Sequence, residues 1–329
     1  MIISRTPLRI SFVGGGTDFE DFWKIEDGKV ISTTIDKYIY VIIKERFDDL
    51  IVLNYSSREI VEDVNQIHHE LIRESLIKTE INSGIEITTL ADIPSEGSGL
   101  GSSSSVTIGL LNACYAYQGK KIKAEQLAKE ACDIEIEILG KPIGKQDQYI
   151  AAYGGLNEIT FHTNGTVSVD RIPMSPEGRI GFSSSIQLFY TYVQRSSSSV
   201  LAEQKTSIMR NFDILREMKD QVEDVKDILR TRQKFEGIGA ILNKTWNLKR
   251  QLASKISDEK IDQMYESALK AGAIGGKISG AGGGGFLMLY VPWEKQNSVR
   301  EMLKDYRELP FMMEPSGTKI MLDIDRNHW

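Results

Sequence analysis

Alternating and clustered apolar positions predict strands at both ends of this chain and helices between them. Residues 2–13 read as a strand punctuated by Pro7, running into Gly14-Gly15-Gly16. β-branched and aromatic residues are dense over 30–35 and 38–44, which predicts two further strands, with shorter extended runs at 50–54 and 85–90. Over 67–76, Ile67, Leu71, Ile72 and Ser75 share one side of a helix. After residue 105 the period lengthens. Val106, Leu110, Ala113, Cys114 and Tyr117 recur at helical spacing, and Leu127, Ala131, Ile134 and Ile138 mark one face of a second helix over 124–139. Pro142 and Gly144 end that pattern, and 144–155 reads as a polar turn followed by apolar residues. Residues 156–161 and 166–171 form a hairpin around Asn164-Gly165.

Residues 172–181 carry two prolines and two glycines, which predicts a boundary between domains 1–175 and 176–329. Beyond it lie a strand at 186–193, a long charged helical region over 200–271, a glycine-rich loop over 275–285 and a strand at 286–291. A helical stretch at 293–309 and a closing strand at 319–324 follow. Hairpin-like strands with segregated helices predict an α+β fold rather than a βαβ series.

Composition narrows the function classes. With 329 residues, 41% of them hydrophobic, the chain is long enough for a large core. A net charge of −6 gives no support for nucleic-acid binding. The two cysteines, Cys114 and Cys132, fall in helical runs, so neither a disulfide framework nor a metal cluster is expected. The start, MIISRTPLRISF, places arginines in a strand-like pattern and does not read as a signal peptide. No run approaches the roughly 20 apolar residues of a membrane span. A cytoplasmic protein with small-molecule partners and no nucleic-acid or membrane partner is expected. The sequence specifies no oligomeric state.

The candidate chemistry centres on residues 93–106, IPSEGSGLGSSSSV. A Gly/Ser loop opening a helix offers bare amides and the positive end of a helix dipole, which together make an anion site. Unlike a Walker A loop it carries no lysine, so neutralising charge must come from elsewhere. A flexible linker is the bland alternative, but the strand pattern before it and the helix pattern after it argue against that. Gly280–Gly285 places five glycines in six positions, a costly choice unless the backbone must approach a ligand or another loop closely. Arg195 precedes four serines at a predicted helix start. It is either a second anion site or a solvated arginine beside a serine cap.

Three stretches resemble the GHMP kinases. They are PLRISFVGGGTD (7–18), GSGLGSSSS (97–104 with its flank) and KISGAGGGG (277–285), in this order along the chain. The resemblance implies an N-terminal ribosomal-protein-S5-like domain, a C-terminal ferredoxin-like domain and an active site in the cleft between them. It also implies ATP and Mg²⁺. Glu96, Gly97, Ser98, Gly99, Leu100, Gly101, Ser102, Ser103 and Ser104 would then hold the nucleotide phosphates, with Gly282 and Gly283 closing the site. Ser103 and Glu135 match the family's Mg²⁺ ligands. Periodicity alone barely separates Glu135 from Glu137; the spacing from Glu135 to Asp147 matches the galactokinase arrangement. Asp147, in Gln146-Asp147-Gln148, matches the catalytic carboxylate, and Arg9 the arginine facing it. Such an arginine favours the charged carboxylate and makes it a poor ground-state base. Asp18 matches the residue that binds sugar hydroxyls, with Gly15, Gly16 and Thr17 around it. Without the family, Ser103, Asp147 and Thr17-Asp18 could simply cap turns or helices.

The strings RTPLRISFVGGGTD, GKQDQY and YVQRSSSS most resemble the sugar branch of the family, on the side of the heptose 7-phosphate kinases, and fucokinase domains share much of that look. The resemblance implies phosphorylation of the anomeric hydroxyl of a heptose 7-phosphate, with Arg195 the candidate for the substrate's phosphate. A catalytically dead sugar or nucleotide sensor is the alternative of another class; Arg9, Glu135 and Asp147 together argue against it.

Overall fold

The computed structural model describes residues 1–93, 97–193, 197–231 and 235–324. β1 (Ile2–Val13) leads through a short α1 (Glu20–Trp23) into β2 (Gly28–Glu45). The two apolar runs expected as separate strands are one strand of 18 residues. The register against β1 shifts between Pro7 and Leu8, so the polar Asp36-Lys37 break is absorbed as a bulge rather than a turn. β3 (Ile51–Asn54), β4 (Arg58–Val61), α2 (Glu70–Lys78) and β5 (Ile85–Ala91) follow, then α3 (Ser102–Tyr117) and α4 (Ala124–Cys132). α4 runs into one widened turn of π-helix, Asp133–Ile138. Next come α5 (Gln146–Tyr153) and the hairpin β6 (Leu156–Phe161) and β7 (Val167–Arg171).

The remaining elements are α6 (Pro176–Ser184), β8 (Ile186–Tyr190), α7 (Ser197–Ser207), α8 (Phe212–Thr231), α9 (Glu236–Lys249), α10 (Glu259–Ala271), β9 (Gly275–Ile278), β10 (Phe286–Tyr290), α11 (Gln296–Met302) and β11 (Lys319–Asp323). An eight-stranded sheet has the order β11-β1-β2-β5-β3-β4, with β6 and β7 continuing from the first half of β2. A three-stranded antiparallel sheet has the order β8-β10-β9.

The Pro/Gly-rich stretch at the expected boundary is a helix start: Ser175 caps α6 by accepting from the Gly178 amide at 3.1 Å, and Pro176 sits in the first turn. The chain's last strand also leaves the second region. β11 pairs antiparallel with β1, so the chain's last strand joins the sheet built by its first. One apolar cluster runs from Leu8 and Phe12 through Phe182 and Leu188 to Val225, Leu242 and Phe286, tying the two sheets together.

α3 is the element that aims the first glycine loop. It lies close on β1, with the Ser4 hydroxyl donating to the Gly109 carbonyl at 2.8 Å. A Cβ on Gly109 would stand 3.0 Å from Thr6 Oγ1. On α3, Leu110 is fully buried in the main apolar cluster and Leu111 in a second one, each contributing about 2 kcal/mol of apolar burial. Among the described residues no helix is long and apolar enough to cross a membrane.

Candidate active site

A cleft of about 480 Å³ opens between the N-terminus of α3, β1, the start of α5 and the loop that follows β9. Gly97, Ser98, Gly99, Gly101, Ser102, Ser103 and Ser104 line one wall. Gly99 and Gly101 adopt φ of +72° and +77°, and a Cβ on Gly99 would stand 2.5 Å from the Ser279 carbonyl. The expected second glycine loop starts later than the sequence suggests, because Gly275–Ile278 is strand β9. From there the two loops meet backbone to backbone. A Cβ on Gly280 would lie 2.7 Å from Gly99 Cα, and one on Gly285 would lie 2.5 Å from the Ser98 carbonyl. That contact is what the run of glycines permits.

Arg9 stands at the centre. Its Nε and Nη2 donate to the two carboxylate oxygens of Asp147 at 2.6 and 2.5 Å, and Nη1 donates to the Gly99 carbonyl at 2.6 Å. Its backbone N–H donates to the Leu100 carbonyl at 2.9 Å. β1 therefore fixes both the loop and the carboxylate through one residue. Asp147 sits in the first turn of α5, and its side chain is 23% exposed. Asp18 is buried and accepts from the Gly16 amide at 3.0 Å and from Gln146 Nε2 at 3.1 Å. Burial pushes its carboxyl up, reinforced by Asp147 and opposed by backbone donors. Gly15 and Gly16 border the same end of the cleft.

Glu135 lies on the π-turn, which turns it inward: it is fully buried, whereas Glu137 is exposed. π-turns of this kind concentrate at functional sites. Its Oε2 accepts from the Ser104 hydroxyl at 3.2 Å and, weakly, from the Ser103 hydroxyl at 3.4 Å. Its Oε1 is buried without a partner. Burial pushes the carboxyl up to about 7, against the pull of Lys141. A buried carboxylate with an orphaned oxygen beside an exposed serine hydroxyl fits a hard divalent cation, which takes oxygen ligands and retains waters.

Of the other expected site residues, some line the cleft and some do not. Thr17 is fully buried and its hydroxyl donates to the Gly14 carbonyl at 2.8 Å, so it braces the Gly14–Gly16 turn rather than facing the cleft. Leu100 is buried in the main apolar cluster and contributes through its carbonyl. Gly282 borders the cleft. Gly283 turns away, donating its amide to the Ile256 carbonyl at 2.7 Å. Glu96 and Arg195 lie outside the described residues; Ser198, near the start of α7, does border the cleft. Lys145, a cation close to Asp147 in sequence, lies over the Trp23 ring at 4.2 Å.

Among the cleft residues without a role assigned from the sequence are two buried lysines, Lys249 and Lys277. Both line the cleft, and they are only 6% and 4% exposed. Lys277 was visible inside the third motif, and its alternation with Ser279 was the available signal. Lys249, at the end of a charged helix, carried no signal.

A glycine loop at a helix start, a carboxylate clamped by arginine and a hydroxyl–carboxylate pair thus meet in one cleft, on a mixed α+β fold. The chain matches the models of the GHMP kinases N terminal domain over residues 55–155 and of the GHMP kinases C terminal domain over 224–308. It is 29% identical over 319 residues to D-glycero-alpha-D-manno-heptose 7-phosphate kinase of Campylobacter jejuni, covering 92% of this chain and 94% of that protein. It is 25% identical to the L-fucokinase/L-fucose-1-P guanylyltransferase of Bacteroides fragilis, over 91% of this chain but 35% of that longer protein. The crystal structure of a D-glycero-D-manno-heptose 1-phosphate kinase from Bacteroides thetaiotaomicron superposes with a TM-score of 0.81 at 26% identity, covering 99% of this chain and 100% of that one. The chain belongs to the GHMP kinases and is a phosphotransferase with an alcohol group as acceptor.

Proposed function

We propose that this protein is an ATP- and Mg²⁺-dependent sugar kinase that phosphorylates the anomeric hydroxyl of D-glycero-D-manno-heptose 7-phosphate. The product would be the 1,7-bisphosphate, used to make nucleotide-activated heptose. The observation that carries the reading is Asp147, held by Arg9 beside buried Asp18 and directly across from the phosphate loop. Similarity to the Campylobacter heptose 7-phosphate kinase over nearly the full length of both chains supports the choice of sugar.

In this reading the amides of Gly97–Ser104 and the α3 dipole hold the triphosphate. Ser103 and Glu135 would hold Mg²⁺, which would supply positive charge to neutralise the phosphates. Asp18 accepts hydrogen bonds from sugar hydroxyls. Asp147 orients the attacking hydroxyl and accepts its proton late, which suffices because a loose phosphoryl transition state asks little of the nucleophile. Arg9 keeps Asp147 in place and adds positive charge next to the transferred group.

The test is ADP release with a panel of free and phosphorylated sugars, with the product position read by phosphorus NMR. Turnover on heptose 7-phosphate giving a new anomeric phosphate is the expected result. Turnover on unphosphorylated fucose alone would move the assignment to the fucokinase side. Nucleotide binding without turnover on any sugar would make the protein a sensor.

A further inference from the structure

Lys249 and Lys277 are nearly buried cations in the cleft, and they are not equivalent. Lys249 Nζ donates to the Ile278 and Gly280 carbonyls at 3.1 and 2.5 Å, so its ammonium is spent on the loop after β9. The Lys277 ammonium makes no hydrogen bond or ion pair to a described residue, although Lys277 is 4% exposed and lines the cleft. Ser279 still pairs as strand, its amide donating to the Phe286 carbonyl at 2.9 Å. Strand alternation therefore puts Lys277 and Ser279 on one face. The Ser279 hydroxyl also lines the cleft and is buried without a partner.

An ammonium removed from water with no counter-charge is expensive to keep. Burial pushes Lys277 well below the usual lysine range, and Lys249 and Arg9 lower it further. Arg9 is already engaged by Asp147. A lysine and a hydroxyl, both unsatisfied on one face of a cleft, are the donor set that a phosphoryl group satisfies.

We propose that Lys277, with the Ser279 hydroxyl, is the cation that receives a phosphoryl group on the floor of this cleft, and that Lys249 only positions the loop beside it. This rests on the kinase reading, in which two phosphoryl groups enter the cleft: the γ-phosphoryl of ATP and the phosphate already on the acceptor.

Isothermal titration separates the two sources. Wild type, Lys277→Met and Lys277→Arg are titrated with inorganic phosphate, ADP, a non-hydrolysable ATP analogue and heptose 7-phosphate. Lys277→Met should weaken inorganic phosphate tenfold or more, with Lys277→Arg recovering most of the loss. If the γ-phosphoryl is the ligand, Lys277→Met also weakens the ATP analogue tenfold or more, leaves ADP and heptose 7-phosphate unchanged and lowers kcat. If the acceptor's phosphate is the ligand, heptose 7-phosphate weakens instead, its KM rises with kcat retained, and both nucleotides bind as before. Either pattern supports the site. Binding of all four ligands within twofold of wild type, with the melting temperature retained, overturns it. If Lys277→Met does not fold, Lys277→Gln takes its place under the same criteria. A wild type that binds phosphate and nucleotide but no heptose 7-phosphate defeats the substrate assignment and leaves the phosphate and nucleotide arms to judge Lys277.

Discussion

Arg9 joins Asp147 to the phosphate loop: two of its nitrogens hold both carboxylate oxygens of Asp147, at 2.6 and 2.5 Å, and the third reaches the Gly99 carbonyl at 2.6 Å. The planar fork of a guanidinium makes this geometry possible, and a lysine has no equivalent. Asp147, proposed to orient the acceptor, is thereby set at a fixed distance from the loop amides proposed to hold the donor, which is the positioning that phosphoryl transfer requires.

Asp147→Asn keeps the shape and removes the charge. Turnover should fall by about 10³-fold or more, while ATP-analogue affinity stays within a few-fold of wild type. Arg9→Lys should lower turnover less and disturb nucleotide affinity more, because it releases Gly99 as well. Coupled ADP release and calorimetric titration check both variants. Substantial turnover in Asp147→Asn removes Asp147 from the mechanism.

Glycines at the loop contact are required by space as well as by backbone angle. At Gly280, φ is +67° and a Cβ would stand 2.7 Å from Gly99 Cα. Gly280→Ala should cost about 2 kcal/mol or more, lowering the melting temperature by roughly 4 °C or more and weakening ATP. Gly181, inside α6, has nothing within 4 Å of its would-be Cβ. Gly181→Ala should be neutral or slightly stabilising. Equal melting temperatures for the two variants would show that the loops do not need to touch.

Glu135→Gln tests the metal reading. It preserves the volume but loses the anionic ligand. The Mg²⁺ concentration for half-maximal activity should rise tenfold or more, with KM for the sugar little changed. Without the metal, thermal stability should not fall, since the variant no longer buries a charge that has an orphaned oxygen. Glu137→Gln, at an exposed position, should leave both quantities as in wild type.

The sequence carries the first sheet's long strands well, because β1 and β2 are long and rich in β-branched residues. It does not carry α5. That helix has eight residues, begins at Lys145 without a side-chain cap and shows little apolar periodicity, so Gln146-Asp147-Gln148 reads as a turn. Nor does it carry the return of β11 to β1, since strand pairing across the whole chain leaves no local trace. At the site, Arg9, Asp18, Ser103, Glu135 and Asp147 are legible only because motifs name them. The π-turn that buries Glu135 and exposes Glu137 breaks the 3.6-residue period on which a helical reading depends. Thr17 and Gly283 share motifs with cleft residues yet point into the fold, because a motif also preserves the residues that shape its turn.

Lys249 provides a pH signature of the buried cations. Burial, with Arg9 nearby, lowers it from 10.5 to about 7. The charged groups set against it are Arg9 on β1 and Lys277 on β9. The unfolded chain keeps the Lys249 proton up to about pH 10.5, whereas the folded chain releases it near pH 7. Between those values the unfolded state binds more protons, so this group makes stability rise with pH across the window; below about 7 both states are protonated and the burial cost is constant. Lys249→Met lacks that rise. Wild type should therefore gain on the variant between about pH 7 and pH 10, by an amount on the order of a few kcal/mol, read as a melting-temperature difference that widens with pH. Lys249 also lowers Lys277, so the difference between the two curves carries the release of Lys277 from that repulsion together with the loss of the Lys249 proton. Parallel curves across that range would mean that Lys249 keeps its proton in the fold, with the Ile278 and Gly280 carbonyls together solvating the charge.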